Sequence, residues 1–359
     1  MVSKQDKLQE EIIDKTIDFY KTNNLGYLDL AMRSGKTKIT LESIKRSMES
    51  SIILLCYPDN KLKESWKGEM EKWHFKNHSI DFVNFSSLHK YINNYYNFII
   101  CDEFHALSMG EAESLSKIIK NADKTIFLSG TISKETKEKW PEFKEIAKYT
   151  TNEGISAGIL SDYIITVHLV DLDNKIKTPN RRGKLLTEKQ KYDNYGFVLS
   201  NLDRKSKTFM HLALARNRLS LSSIGKIEYT KKLLQKLSGK RVIVFTGLSE
   251  VADNLGIPSY HSKSNLEFVF EGFQEGKFNQ LALAAMGKTG ITYNSLDSVI
   301  LLNFTYNASD TSQQLNRCIK LDYSGKVADM HLIVLNEPPE LKKVKESLSM
   351  LDQLKIKYV

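Results

Sequence analysis

Two short groups of residues are spaced to do phosphate chemistry. Ala31-Met32-Arg33-Ser34-Gly35-Lys36-Thr37 follows an apolar run that reads as a strand and precedes a helical run from Ile39 to Met48. A glycine at such a junction lets the backbone approach anionic oxygen, and the N–H groups opening the helix bind it. Gly35 fills that role here, Lys36 is placed to reach β- and γ-phosphates, and Thr37 can set its hydroxyl on Mg²⁺. Position 30 is Leu rather than the first glycine of the full signature. Asp102 lies sixty-six residues after Lys36, where Asn97-Phe98-Ile99-Ile100-Cys101 leads into Asp102-Glu103-Phe104-His105. A strand that ends in Asp-Glu puts both carboxylates at the carboxyl edge of a sheet. Asp102 can hold Mg²⁺ through water, and Glu103 can orient and deprotonate an attacking water. A phosphate loop followed by such a strand points to hydrolysis of ATP with Mg²⁺.

The elements that must position these groups alternate between helical and buried-strand patterns, so the fold class is α/β with mainly parallel sheets. Leu8, Ile12, Ile13, Ile17 and Tyr20 have helical spacing within residues 7–21. Continuous apolar runs predict strands at 26–31, 51–56, 98–101 and 125–128, then at 164–170, 242–245, 281–284, 299–302 and 331–335. The pattern loosens near 150–161, which reads as a linker, and residues 339–357 read as a helix. A length of 359 residues suits two domains, expected at 1–155 and 156–359.

Charge narrows the partners. The net charge is +9, and residues 175–218 hold twelve Lys or Arg against Glu188, Asp193 and Asp203. That segment therefore carries a net +9, leaving 40 basic against 40 acidic residues elsewhere. A local excess of this kind suits phosphate-backbone binding, and it also suits a solvated basic face. Tyr192, Tyr195 and Phe197 interleave with it and could stack on bases, although packing within a helix pair is the better expectation. Pro179-Asn180-Arg181-Arg182-Gly183 reads as an exposed turn able to grip phosphate. Cys56, Cys101 and Cys318 have no metal-ligand spacing and read as reduced thiols. The charged start and the lack of a long apolar run lead us to expect a cytoplasmic protein with no membrane partner.

In these residues the chain resembles the superfamily 2 helicases and translocases, most closely those of the Swi/Snf type. Asp-Glu-Phe-His is similar to the DExH box. Leu128-Ser129-Gly130-Thr131 resembles the motif that couples hydrolysis to domain movement, a role that the resemblance extends to His105. Ile53-Leu54-Leu55-Cys56-Tyr57-Pro58, followed by Trp66 and Trp73, resembles the Swi/Snf strand, proline and Trp-bearing helix. In the second half the matching segments are Arg241 to Thr246, Gly287-Lys288-Thr289-Gly290-Ile291, and Asn307 to Lys320. The fold implied is two tandem RecA-like domains.

The resemblance also implies roles. Gln9 would contact adenine, and Arg33, Ser34 and Gly290 would join the nucleotide site. Pro58, Ser86, Thr246, Lys288 and Thr289 would meet nucleic acid, alongside Arg181, Arg182 and Lys184 from the basic turn. Gln313, Arg317 and Lys320 would complete catalysis from the second domain. Lys320 stands where an arginine finger is expected, and Lys lacks the planar bidentate fork. Asn316 replaces the usual Asp or Gly of that motif.

The function expected is a nucleic-acid-stimulated ATPase acting as a DNA helicase or translocase, a phosphoric anhydride hydrolase. The DNA expected is single-stranded, duplex or branched, and the working unit is expected to be a monomer. An RNA helicase and an ATP-gated clamp without unwinding are the alternatives. Asn- and Lys-rich usage fits an AT-rich genome such as that of a phage or low-GC bacterium.

Overall fold

The computed structural model describes residues 3–31, 33–130, 132, 134–180, 183–263, 267–284, 296–303, 311, 327–349 and 351–359. The chain divides between Ser161 and Asp162 into two compact units. The first unit is a six-stranded, wholly parallel sheet in the order β3-β2-β4-β5-β1-β6. Its strands are β1 (Leu25–Leu30), β2 (Ser51–Tyr57), β3 (His78–Asn84), β4 (Tyr96–Asp102), β5 (Ala122–Ser129) and β6 (Lys144–Tyr149). Helices α1 (Lys4–Phe19), α2 (Lys36–Ser47), α3 (Asn60–Lys72), α4 (Met109–Ile119), α5 (Lys134–Lys139) and α6 (Thr151–Ser156) join and flank them.

The apolar runs are buried on both sides, as strands of an all-parallel sheet must be. Leu28, Leu55, Ile100 and Leu128 pack with Ile13, Ile39 and Trp66 on one face, while Tyr27, Leu54, Cys56, Cys101 and Phe127 pack with Leu115 and Ile118 on the other. Neighbours in sequence thus enter different cores. Cys56 and Cys101 are free and buried, and among the described residues no three His, Cys, Asp or Glu side chains cluster as a metal-ligand set.

The second unit is a seven-stranded parallel sheet in the order β11-β12-β10-β13-β14-β7-β15. It comprises β7 (Tyr163–Val170), β10 (Val242–Thr246), β11 (Ser259–Tyr260), β12 (Gln280–Ala284), β13 (Ser298–Leu301), β14 (Ala328–Leu335) and β15 (Ile356–Tyr358). Between β7 and β10 lie an antiparallel hairpin, β8 (Lys177–Pro179) with β9 (Leu185–Thr187), and helices α7 (Glu188–Ser200), α8 (Lys207–Leu221) and α9 (Ile224–Lys236). Then come α10 (Ser249–Asp253), α11 (Glu267–Gln274) and, after β14, α12 (Pro338–Ser347). The two parallel sheets flanked by helices are the tandem α/β architecture expected from the alternation of elements. No helix among the described residues is long and apolar enough to cross a membrane.

Three readings need correction. The supposed linker contains α6, whose Thr150 and Glu153 close a capping box that satisfies its first N–H groups. The supposed C-terminal helix stops at Ser347, and Ile356–Tyr358 instead pairs in parallel with β7. Strands β3, β6, β8, β9, β11 and β15 escape a search for apolar runs because they lie at sheet edges or in a hairpin, where polar residues interrupt the run. The basic segment folds as the hairpin plus α7 and α8, with Tyr192 only 2% exposed and Phe197 73% exposed. Packing therefore accounts for Tyr192 and not for Phe197.

Two histidines join β7 to β14. His168 Nε2 lies 3.0 Å from His331 Nδ1, and the Tyr229 hydroxyl lies 2.8 Å from His168 Nδ1. Burial, followed by the neighbouring His168, pushes His331 down to about 4 from the ordinary value of 6.5. Because the folded value is depressed, the unfolded chain takes up the proton first. The stabilisation is fully present above pH 6.5 and is lost as pH falls toward 4, about 3 kcal/mol over the window. We expect denaturant titrations of the wild type at pH 7 and pH 4.5 to show this loss, and His331→Gln to flatten the dependence. An equally steep dependence in the variant would move the proton uptake elsewhere.

Candidate nucleotide-binding site

All strands of the first sheet run parallel, so their carboxyl ends share one edge, where ligands of open α/β sheets bind. Three neighbours in that sheet, β4, β5 and β1, end respectively in Asp102, Ser129 and the segment leading to Gly35. The segments from residues 31, 102 and 129 are thereby brought together although 98 residues separate the first from the last.

The loop before α2 is built tightly. Gly35 has φ 93°, in the left-handed region, and a Cβ there would sit 2.1 Å from Gln9 Nε2. The left-handed φ favours glycine, and any side chain there would also displace the Gln9 amide. Gln9 Nε2 donates to the Ser34 carbonyl at 2.8 Å, Lys38 Nζ donates to Gln9 Oε1 at 2.7 Å, and Gln5 Nε2 donates to the Arg33 carbonyl at 3.1 Å. Helix α1 thus braces the loop, and both amide atoms of the buried Gln9 are engaged there. Ser34 Oγ closes the turn on the Ala31 carbonyl at 2.7 Å. Arg33 adopts φ 64°, a conformation that costs a non-glycine residue about 1–2 kcal/mol. Thr37 lies in the first turn of α2, where the sequence places its hydroxyl.

Lys36 Nζ lies 3.9 Å from Glu103 Oε1, with both side chains largely buried. Glu103 Oε2 is 3.4 Å from His105 Nδ1, which is 2.9 Å from Ser129 Oγ. A continuous polar path therefore runs from the lysine through the glutamate and histidine to the end of β5. Glu103 itself sits at φ 51°, left-handed backbone that aims its side chain out of the strand line. Such strain persists where surrounding contacts over-determine it.

Asp102 is only 6% exposed, and its Oδ2 accepts a 2.8 Å hydrogen bond from the Trp66 indole. Its Oδ1 accepts from the Glu103 backbone N–H at 3.0 Å. Burial, then the charge of Glu103, raises its carboxyl to about 6, with Lys36 and the Trp66 bond opposing the rise. A buried carboxylate in this condition gains from a nearby cation, so its donor set fits Mg²⁺. Nothing in the sequence marks this bond between Trp66 and Asp102. The seven-residue spacing of Trp66 and Trp73 gives no sign of which polar group an indole will meet.

Other expected site residues fall in different places. Pro58 follows β2 and exposed Ser86 follows β3, and Asn84 joins them by donating to the Pro58 carbonyl at 3.1 Å while accepting from Ser86 N–H at 3.1 Å. Thr246 is buried at the end of β10, and its hydroxyl donates to the Leu248 carbonyl at 3.0 Å. Lys184 is exposed in the β8–β9 turn, where its backbone N–H bonds Asn180 Oδ1 at 2.9 Å. Thr131, Arg181, Arg182, Lys288, Thr289, Gly290, Gln313, Arg317 and Lys320 lie outside the described residues.

Replacing Trp66 with Phe keeps an aromatic ring and removes the donor to a buried carboxylate. We expect Trp66→Phe to cost about 1–3 kcal/mol in denaturant unfolding. It should also raise the Asp102 carboxyl further, read from the infrared carboxyl stretch against pH. A variant with wild-type stability and titration would show that the indole bond contributes nothing.

No protein-family model and no curated protein matches the sequence. Solved structures do match its fold. The ATP-dependent Type ISP restriction-modification enzyme LlaBIII bound to DNA aligns over 98% of this chain at 14% identity and a TM-score of 0.65. This chain spans 31% of the length of that enzyme. Mss116p bound to ssRNA and AMP-PNP aligns over 97% of this chain and 74% of its own at 12% identity and a TM-score of 0.57. The Pyrococcus furiosus Hef helicase domain aligns over 97% of this chain and 100% of its own at 12% identity and a TM-score of 0.55. The chain shares the two-sheet, RecA-like fold of these solved structures.

Proposed function

We propose that the protein is a nucleic-acid-stimulated ATPase that couples hydrolysis to movement on DNA. The observation that carries this reading is the chain of contacts Lys36–Glu103–His105–Ser129, spanning 3.9, 3.4 and 2.9 Å beside a glycine-bearing helix start. In this reading the α2 N–H groups and Gly35 cradle the phosphates, and Lys36 exchanges Glu103 for phosphate oxygen. Glu103, released from the lysine, orients the attacking water and takes its proton. His105 then reports the change to Ser129 and the segment containing Thr131. Mg²⁺ supplies charge neutralisation on the phosphates when bound, and Thr37 and Asp102 are the residues that would hold it.

Arg33, Ser34 and Gly290 are proposed as further nucleotide contacts, with Gln9 acting through the loop. Gln313, Arg317 and Lys320 are proposed to supply charge and orientation in the transition state. Pro58, Ser86, Lys288 and Thr289 are proposed nucleic-acid contacts. Thr246 fits that role less well, because its buried hydroxyl is engaged by Leu248. The Swi/Snf-like pattern of Pro58, Trp66 and Trp73 supports DNA as the track, and the restriction enzyme named above is bound to DNA.

Single-stranded, duplex and forked DNA and RNA should be compared for stimulation of ATPase turnover. We expect at least a several-fold rise with DNA. Glu103→Gln should lower the stimulated rate by about 10²–10⁴-fold, and Lys36→Ala should remove it. Hydrolysis absent with every polymer would sink the motor and leave the ATP-gated clamp. Stimulation by RNA alone would replace the track.

Neutralising Arg181, Arg182 and Lys184 together should weaken DNA binding. The slope of log affinity against log salt should fall by about two to three. An unchanged slope would make this turn a solvated surface.

A further inference from the structure

The second unit contains a cleft that the nucleotide chemistry does not use. It has a volume of about 180 Å³ and lies between α7, α8 and the first turn of α12. Tyr192, Leu199, Arg216, Asn217, Glu340 and Lys343 line it. Its place in the fold is set by β7 and β14, neighbours in the sheet whose carboxyl ends lead into α7 and α12. That is again the edge at which open α/β sheets take ligands.

The charges in the cleft do not cancel. Glu340 is satisfied within the protein: it accepts from Lys226 Nζ at 2.9 Å, Ser220 Oγ at 2.9 Å and the Leu335 N–H at 3.3 Å. Burial opposes its charge, yet Lys226 and Ser220 hold the carboxyl below the usual range. Glu337, one turn away, is paired with Lys189 at 2.9 Å. Burial, with Lys226 nearby, depresses the Lys343 ammonium. Arg216 is the distinctive group. Its guanidinium carbon lies 4.1 Å from the Tyr192 ring centroid, and among the described residues it forms no ion pair with a carboxylate. Its Nε is buried without a hydrogen-bond partner.

Arginine carries its N–H donors in the plane of the guanidinium, and with Nε buried the terminal Nη groups are those that can meet a ligand. A guanidinium fixed on a ring, beside an ammonium and next to a carboxylate that is already neutralised, presents a fork for an anion. Planar bidentate recognition by arginine suits the oxygens of a phosphate. The volume admits a single such group and not a folded polymer segment.

We propose that this cleft binds one phosphate ester, with Arg216 as the fork and Lys343 as the second cation. A backbone phosphate of nucleic acid and a small free phosphate share this chemistry. The assignment rests on the nucleic-acid reading above only for the first of these sources.

The test uses the full chain and a labelled 20-nucleotide DNA or inorganic phosphate as probes. Acetylation of Lys343, followed by mass spectrometry on the wild type, should fall at least threefold when the occupying probe is added. Arg216→Gln should lose that protection. It should also bind the oligonucleotide about tenfold more weakly at 0.1 M salt, with the salt slope reduced by about one. Lys232→Gln, on α9, should leave both readings at wild-type levels. Protection by the oligonucleotide and not by phosphate identifies a polymer backbone. Protection by phosphate with no oligonucleotide binding keeps the cleft and removes the nucleic-acid function. The cleft assignment falls if neither probe protects Lys343 in the wild type while Arg216→Gln binds DNA with full affinity and slope; the motor reading would survive that result.

Discussion

Asp102 is a carboxylate buried at the end of a central strand, and the arrangement of the first unit follows from the need to satisfy it. Burying such a group without partners costs several kcal/mol. Two donors meet it, the Trp66 indole and the Glu103 backbone N–H, and neither is a formal positive charge. The carboxyl is left raised to about 6. Helix α3 must therefore dock with Trp66 inward, and the chain after β4 must turn sharply enough to present the next N–H. The left-handed backbone of Glu103 is that turn, and it sends the glutamate toward Lys36 and His105. One buried oxygen pair links the packing of a helix to the direction of the reacting carboxylate.

The same logic governs the second unit with different groups. Buried Glu188 accepts from the Asp173 N–H, the Ser223 hydroxyl and the Ile224 N–H, so it caps α9 and ties the basic hairpin and helices to the sheet. Glu340 ties α12 to α8 and α9 through Ser220 and Lys226. The basic segment is thus a folded extension anchored by two acidic residues and not a loose charged loop. Its net charge is visible in composition, whereas the roles of the opposing carboxylates are visible only in contacts.

Much of the fold was legible in the sequence because all-parallel sheets write their central strands as continuous apolar runs. Runs such as 51–56 and 242–245 coincide with β2 and β10 to within a residue or two at each end. Edge strands such as β6 (KEIAKY) mix charged residues with apolar ones, so the same criterion passes over them. The short strand β15 depends on β7 as a template and has little pattern of its own. In the site, the residue types and spacing indicated Lys36, Asp102 and Glu103. They did not indicate Trp66 as the donor to Asp102, or Lys38 as the clamp on Gln9, because those pairings are decided by docking angles between helices.

The contact between Gln9 and Gly35 alters what the N-terminal helix is. A helix preceding the first strand looks like a detachable leader whose removal would spare the sheet. Here its side chain occupies the space that a Cβ on the loop glycine would need, and it holds the carbonyl just before that glycine. Helix α1 is therefore a mould for the phosphate loop, already synthesised when the loop leaves the ribosome. Shortening the chain at this end would take Ile12 and Ile13 out of the core against the sheet and leave the loop uncast.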